Sequence, residues 1–263
     1  MKSAMSFRTF TIKWPALILT GWFFAAAVVS HAQQGQNGIY NSASNCCTAS
    51  PAFIDASMFV NSPPTKNFCT VLNWVLNPSN LILSSVGGVI DARGLSSSNT
   101  NMTCSVSPWN GISNPPPATI LLPATGGSPA NPIIISNTWV LPANTHLVGE
   151  GDNIGLGDIN AGTTIQASSS LSGPIIQFGN STFCPSGCAS ISVENLILDG
   201  KGYSVNGIVN EYAGEGSFVD RVSLYRIPST GLLVSSVGSS TYASNSGPYS
   251  RITCPVGRRQ QVV

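Results

Sequence analysis

A pair of unlike strands that recurs along the chain restricts the fold of this 263-residue sequence more than any other feature. Ser192-Val193-Glu194-Asn195-Leu196-Ile197-Leu198 lies over Phe218-Val219-Asp220-Arg221-Val222-Ser223-Leu224 at an offset of 26, apolar on apolar and acid on acid. Arg251, Ile252 and Cys254 extend the columns begun by Asn195, Leu196 and Leu198. A second strand repeats out of phase, with Gly207-Ile208-Val209 over Gly231-Leu232-Leu233 at an offset of 24. Strands recurring together every 24 to 30 residues mark a solenoid, in which each coil buries the same inward positions against the coil before it. An antiparallel sandwich also supplies many short strands, but it calls for Asn-Gly or Asp-Gly hairpins flanked by alternating strands, and these are nearly absent.

The composition agrees with a turn-rich β protein. Only 8% of residues are charged, against about 25% in an average domain. Ser (38), Asn (22) and Thr (18) supply the polarity instead. A formal charge of +1 with no basic block excludes a nucleic-acid footprint, which needs clustered Lys and Arg. Helical bundles and coiled coils are disfavoured because the abundant residues are poor helix formers.

Residues 1–32 read as a secretory signal peptide. Lys2, Arg8 and Lys13 precede an apolar run from Trp14 to Val29, and Ser30-His31-Ala32 provides small residues at the cleavage positions. The run is too short to span a bilayer, and no later segment does better, so no membrane association is expected after cleavage. Export places all seven cysteines (Cys46, Cys47, Cys69, Cys104, Cys184, Cys188, Cys254) in an oxidising compartment. Cys184 and Cys188 flank a Pro-Ser-Gly turn and are expected to form a local disulfide. Zinc is the competing reading, weakened by the single His, His146, that remains after residue 32. An odd cysteine count leaves one over, for which Cys254 is the candidate.

Residues 33–65 are rich in Gln, Asn, Ser and Pro, with little periodicity apart from Ala52 to Val60, and read as a mobile or loosely docked segment. Phe68, Val71, Leu72, Val75 and Leu76 then fall at helical spacing, and Pro78 stops the run. Gly87 to Ala92 reads as a short strand, followed by a loop over 94–118. Strands are expected at Ile120 to Leu122, Ile133 to Ile135, Thr145 to Val148, Thr163 to Ala167, Pro174 to Phe178, Ile191 to Leu198, Gly207 to Glu211, Phe218 to Tyr225, Gly231 to Ser235 and Tyr249 to Cys254. Residues 66–254 thus form the repeat domain. The stretch 255–263 abandons the repeat without a capping helix, which reads as a truncated chain.

The order of helix, Gly-Gly-Val-Ile strand, loop, Trp139-Val140-Leu141-Pro142-Ala143-Asn144-Thr145-His146-Leu147-Val148-Gly149-Glu150-Gly151 and Thr163-Thr164-Ile165 resembles the opening coils of the pectate-lyase-like superfamily. Val193 to Gly200 resembles one of its later coils. The resemblance covers residues 67 to 254 and implies an all-β, right-handed parallel β-helix whose short N-terminal helix caps the first coil through Phe68, Leu72 and Leu76. It also implies extracellular polysaccharide, bound or cleaved in a groove along one sheet by a lyase-like or glycoside-hydrolase-like protein. The paired Asp, His-Gly and Arg-x-Lys constellation of polygalacturonases is absent. The alternative, from a different class, is a non-catalytic extracellular surface or adhesive scaffold.

Five carboxylates cluster in the best repeats: Glu194, Asp199, Glu211, Glu215 and Asp220. Glu194 and Asp220 occupy equivalent positions on successive strands, about 4.8 Å apart along the sheet. Such a pair can serve as acid and base at a glycosidic bond, or hold Ca²⁺ against a uronate; no other cofactor is indicated. Glu194, Asp199 and Asp220 are therefore the candidate catalytic residues, with Arg221, Lys201 and Arg226 as clamps for a sugar carboxylate. The bland reading makes all six solvated, outward-facing side chains paired across strands. Asp152, Asn153, Asp158 and Asn160 offer oxygen ligands but miss the EF-hand register. His146 reads as structural, and Trp109 and Trp139 as buried rather than as platforms for sugars.

Overall fold

The computed structural model describes residues 52–126, 131–153, 161–235, 247–254 and 261–262. Residues 1–51, and with them the signal-peptide reading and Cys46 and Cys47, lie outside this set, as do 255–260. The described chain is mostly β, with one α-helix, α1 (Phe68–Leu76), and short strands. In order these are β1 (Ala52–Asp55), β2 (Gly88–Asp91), β3 (Thr103–Cys104), β4 (Ala118–Leu121), β5 (Ile133–Ile135), β6 (Trp139–Leu141), β7 (Thr145–Val148), β8 (Asp152–Asn153) and β9 (Ala161–Gly162). There follow β10 (Thr164–Ala167), β11 (Ile176–Phe178), β12 (Ser192–Asp199), β13 (Ile208–Asn210), β14 (Phe218–Tyr225), β15 (Thr230–Val234), β16 (Tyr249–Thr253) and β17 (Gln261–Val262). All pair in parallel except β8 with β9.

The eight-residue strands β12 and β14 organise the larger sheet. Ser192–Glu194 continues the row β1-β2-β4-β7, and Ile197–Asp199 pairs with β10 in the row that runs back through β5 to β3. Between the two halves sits Asn195, left-handed at φ 57°, and Arg221 and Arg251 occupy the same place in β14 and β16 at φ 51° and 53°. A left-handed residue turns the strand without breaking its pairing on either side, at about 1–2 kcal/mol for a non-glycine. Asn195 offsets part of this by donating from Nδ2 to the Gly149 carbonyl at 2.8 Å. Gly149 must lack a side chain, since a Cβ there would lie 2.4 Å from the Asn195 carbonyl oxygen. The smaller sheet has the order β17-β15-β13-β11-β6.

Alternate positions on these strands stack into apolar ladders. Ile54, Ile90, Ile120, Leu147, Val193 and Val219 form one in register. Ile133, Ile165, Leu198 and Leu224 form a second, and Trp139, Ile176, Ile208 and Leu232 a third, all buried. The columns read from the repeat are present: Leu196 pairs with Val222 and Val222 with Ile252, while Ile208 pairs with Leu232. Truncating a ladder residue to Ala removes contacts on both sides, a loss of about 2–5 kcal/mol in a packed core.

The helix is fixed at its start by Asn67 and Thr70, each side chain accepting from the other's backbone N–H. It is fastened to edge strands of both sheets. Cys69 is bonded to Cys104 of β3, and Phe68 stacks on Trp139 of β6 with ring centroids 6.4 Å apart. Trp109 meets Trp139 edge-on, and both indoles are buried as expected.

Three features depart from the sequence reading. Residues 52–65 fall in the stretch that reads as mobile or loosely docked, yet Ala52–Asp55 pairs residue for residue with Gly88–Asp91. The approach is close enough that a Cβ on Gly88 would lie 2.2 Å from the Ala52 carbonyl oxygen. Trp139–Leu141 is a strand that is not among those expected from the sequence. Finally, Asp152–Asn153 folds back on Ala161–Gly162 as an antiparallel ribbon, and the Ser223 hydroxyl donates to the Asp152 carbonyl at 2.7 Å.

Candidate functional site

Strand alternation sends Ile90, Ile120, Leu147, Val193 and Val219 into the core, so their neighbours face the other way. The outward rows place Thr119, His146, Ser192 and Phe218 in one register, and Leu121, Val148, Glu194, Asp220 and Ser250 in the next. Polar residues thus gather on one stretch of this face, contributed by β7, β12, β14 and β16.

Glu194 and Asp220 are register neighbours, as the repeat implies, but their surroundings differ. Asp220 accepts from Arg251 Nε at 2.8 Å and Ser250 Oγ at 2.7 Å, and it also pairs with Arg251 Nη2. Arg221 Nε lies 3.7 Å from the same carboxylate. The Arg251 and Ser250 hydrogen bonds hold the Asp220 carboxyl below its ordinary range. Glu194 pairs with no arginine or lysine among the described residues. Its Oε1 accepts from the Ser192 hydroxyl at 2.7 Å, and Ser192 Oγ lies 2.8 Å from His146 Nδ1.

Asp199 does not join these groups. It lies at the far end of β12, fully buried, where Oδ2 accepts from Gln166 Nε2 at 2.7 Å and Oδ1 from the Lys201 backbone N–H at 2.9 Å. Arg226 closes the arrangement from Nε at 3.0 Å and Nη2 at 2.5 Å. With its oxygens occupied and no solvent access, Asp199 anchors the turn after β12. Arg226 is taken up by that carboxylate and by the Tyr225 ring, 4.8 Å from its guanidinium carbon. Lys201 is exposed at φ 57° on the same turn.

Of the six residues proposed from sequence, Glu194, Asp220 and Arg221 therefore share one site, and Asp199, Lys201 and Arg226 a second cluster built for structure. Sequence reasoning passed over Arg251, Ser250 and Ser192, and it read His146 as structural. Arg251 had a signal, its place in the column of Asn195 and Arg221. The His146 link spans 46 residues and has none.

Among the described residues no three His, Cys, Asp or Glu side chains converge as a metal site. Asp158 and Asn160 lie outside them. Cys184 and Cys188 form a disulfide, the expected bridge, while Cys254 is half-buried and unbridged, its thiol pushed up by burial. No helix among the described residues is long and apolar enough to cross a membrane. Comparison of the chain with protein-family models, curated proteins and solved structures yields no match.

Proposed function

We propose that the parallel sheets are faces of a right-handed parallel β-helix of the pectate-lyase-like kind, and that the protein is secreted and acts on extracellular polysaccharide. The observation that carries the reading is the outward face at Glu194. A carboxylate without a basic partner among the described residues stands there, one strand from Arg221 and two from Arg251, whose side chains are half or more exposed, at 51% and 63%. Arginine forks suit the carboxylates of a uronate chain, and an unneutralised carboxylate suits proton transfer or Ca²⁺ beside it. Asp220, kept ionised by Arg251, holds the arginines in place and is a poor acid. Two disulfides suit an oxidising compartment.

The test measures release of unsaturated or reducing ends from a panel of acidic and neutral polysaccharides, with and without Ca²⁺. Turnover on an acidic polysaccharide, reduced at least about 100-fold in Glu194→Gln, is the expected result for a proton-transfer group. Absence of turnover, together with unchanged binding in a Glu194→Ala/Asp220→Ala double variant, overturns the site. The second reading, a non-catalytic adhesive scaffold, is favoured by one observation: both Asp199 and Asp220 are neutralised by arginine. Binding without turnover would select it.

A further inference from the structure

We propose that His146 Nε2 is the proton-accepting atom of this face, and that Ser192 and Glu194 position it. The inference rests on the reading of Glu194 as the site's reactive carboxylate and refines it, since Glu194 then acts through the ring rather than directly.

Hydrogen-bond bookkeeping fixes the direction of the chain. A carboxylate has no proton to give, so the single hydroxyl proton of Ser192 is spent on Glu194 Oε1, at 2.7 Å. Ser192 Oγ can then meet His146 Nδ1, 2.8 Å away, only as an acceptor. The neutral ring must then carry its proton on Nδ1, which leaves the Nε2 lone pair free. No described group hydrogen-bonds to Nε2, and the ring is half-buried in the outward row. The placement is built by the fold: His146 and Ser192 are register partners across β7 and β12, and Glu194 stands two residues further along on the same side. Thr119 and Phe218 flank the pair in its row.

Ser192 itself is excluded as a nucleophile, because it is fully buried and its hydroxyl is already committed. His146 is not. When Nε2 takes a proton from a sugar hydroxyl or from a carbon beside a carboxylate, the substrate becomes the anion and the ring the imidazolium. Nδ1–H stays on Ser192, and the new positive charge faces Glu194 through that hydroxyl. No oxidant or co-reactant is needed, and the proton is the only particle moved. The exposed guanidiniums of Arg221 and Arg251, two and three strands along from β7, place positive charge on the same face for the anion so formed.

The test is the tautomeric state of His146, read from long-range ¹H–¹⁵N spectra of the ¹⁵N-labelled full chain at a pH where the ring is neutral. The His146 signals are assigned by their loss in His146→Gln. The Nδ1–H form should dominate in the native protein, and the Nε2–H share should rise several-fold in Ser192→Ala and in Glu194→Gln. Alongside, diethyl pyrocarbonate should acylate His146 at Nε2, more slowly in both variants. A native Nε2–H ring, or a tautomer ratio unchanged in both variants, overturns the relay. A structural histidine merely packed beside Ser192 would give that second result. Neither measurement requires a polysaccharide, so a chain with the relay but no turnover would overturn the substrate reading alone.

Discussion

At the scale of single residues, the two carboxylates that look alike in the repeat are made unlike by what the next strand brings. Asp220 receives Arg251 and Ser250 from β16, while Glu194 receives no cation from the described residues and leans on Ser192. The Asp220 carboxyl is held below its ordinary value of 3.8, first by the Arg251 hydrogen bond. A lowered folded-state value means that its stabilising contribution is complete above 3.8 and is lost as pH falls through the lowered value. Melting temperature followed by circular dichroism from pH 7 downward should therefore place Asp220→Asn below the native protein at neutral pH, with the gap closing in acid. The gap should be small because Arg251 is largely solvated, and a gap of constant size at every pH would contradict the pairing. Much of this was not readable beforehand. That Glu194 and Asp220 share a register follows from the offset of 26, but which arginine reaches Asp220 depends on the lean of a side chain one strand away. Asp199 shows the same limit: it closes a polar-looking strand, and only the approach of Gln166 and Arg226 makes it a buried anchor.

At the scale of elements, the repeat was legible because each return of the chain puts an apolar residue on the one before it. Leu196, Val222 and Ile252 had to match for the ladder to fill. The helix was legible from its spacing and Pro78. Ala52–Asp55 showed only as a break in the Ser- and Pro-rich stretch, since four residues carry too little alternation to mark a strand, and its partner lies 36 residues on. Pairing between remote strands depends on turn lengths that the pattern does not specify, which is why His146 and Ser192 met unannounced. The helix depends on its covalent tie to β3. Cys69 and Cys104 are 35 residues apart, so loop-closure entropy assigns their bond about 3–4 kcal/mol, against about 2 kcal/mol for the four-residue separation of Cys184 and Cys188. Urea unfolding of Cys69→Ser/Cys104→Ser should show the larger loss, and an equal or smaller loss than in Cys184→Ser/Cys188→Ser would contradict that role for the helix tie.

For the whole molecule, stacked parallel strands turn scattered residues into continuous columns. Scarce charge makes one column conspicuous: on a chain with 8% charged residues, a bare carboxylate, a histidine and two exposed arginines come together on the outward side of four strands. The remaining polarity is Ser, Thr and Asn, which make turns and ladders without competing for a charged ligand. The proposed partner of this face is an acidic polysaccharide. Affinity electrophoresis through gels containing either an acidic or a neutral polysaccharide tests that claim most directly. The native protein should be retarded by the acidic polymer alone, and the retardation should fall by at least about tenfold in apparent affinity for Arg221→Ala/Arg251→Ala, from the loss of two charge-assisted contacts. Equal migration of the native protein in both gels, or full retardation of the double variant, would contradict it.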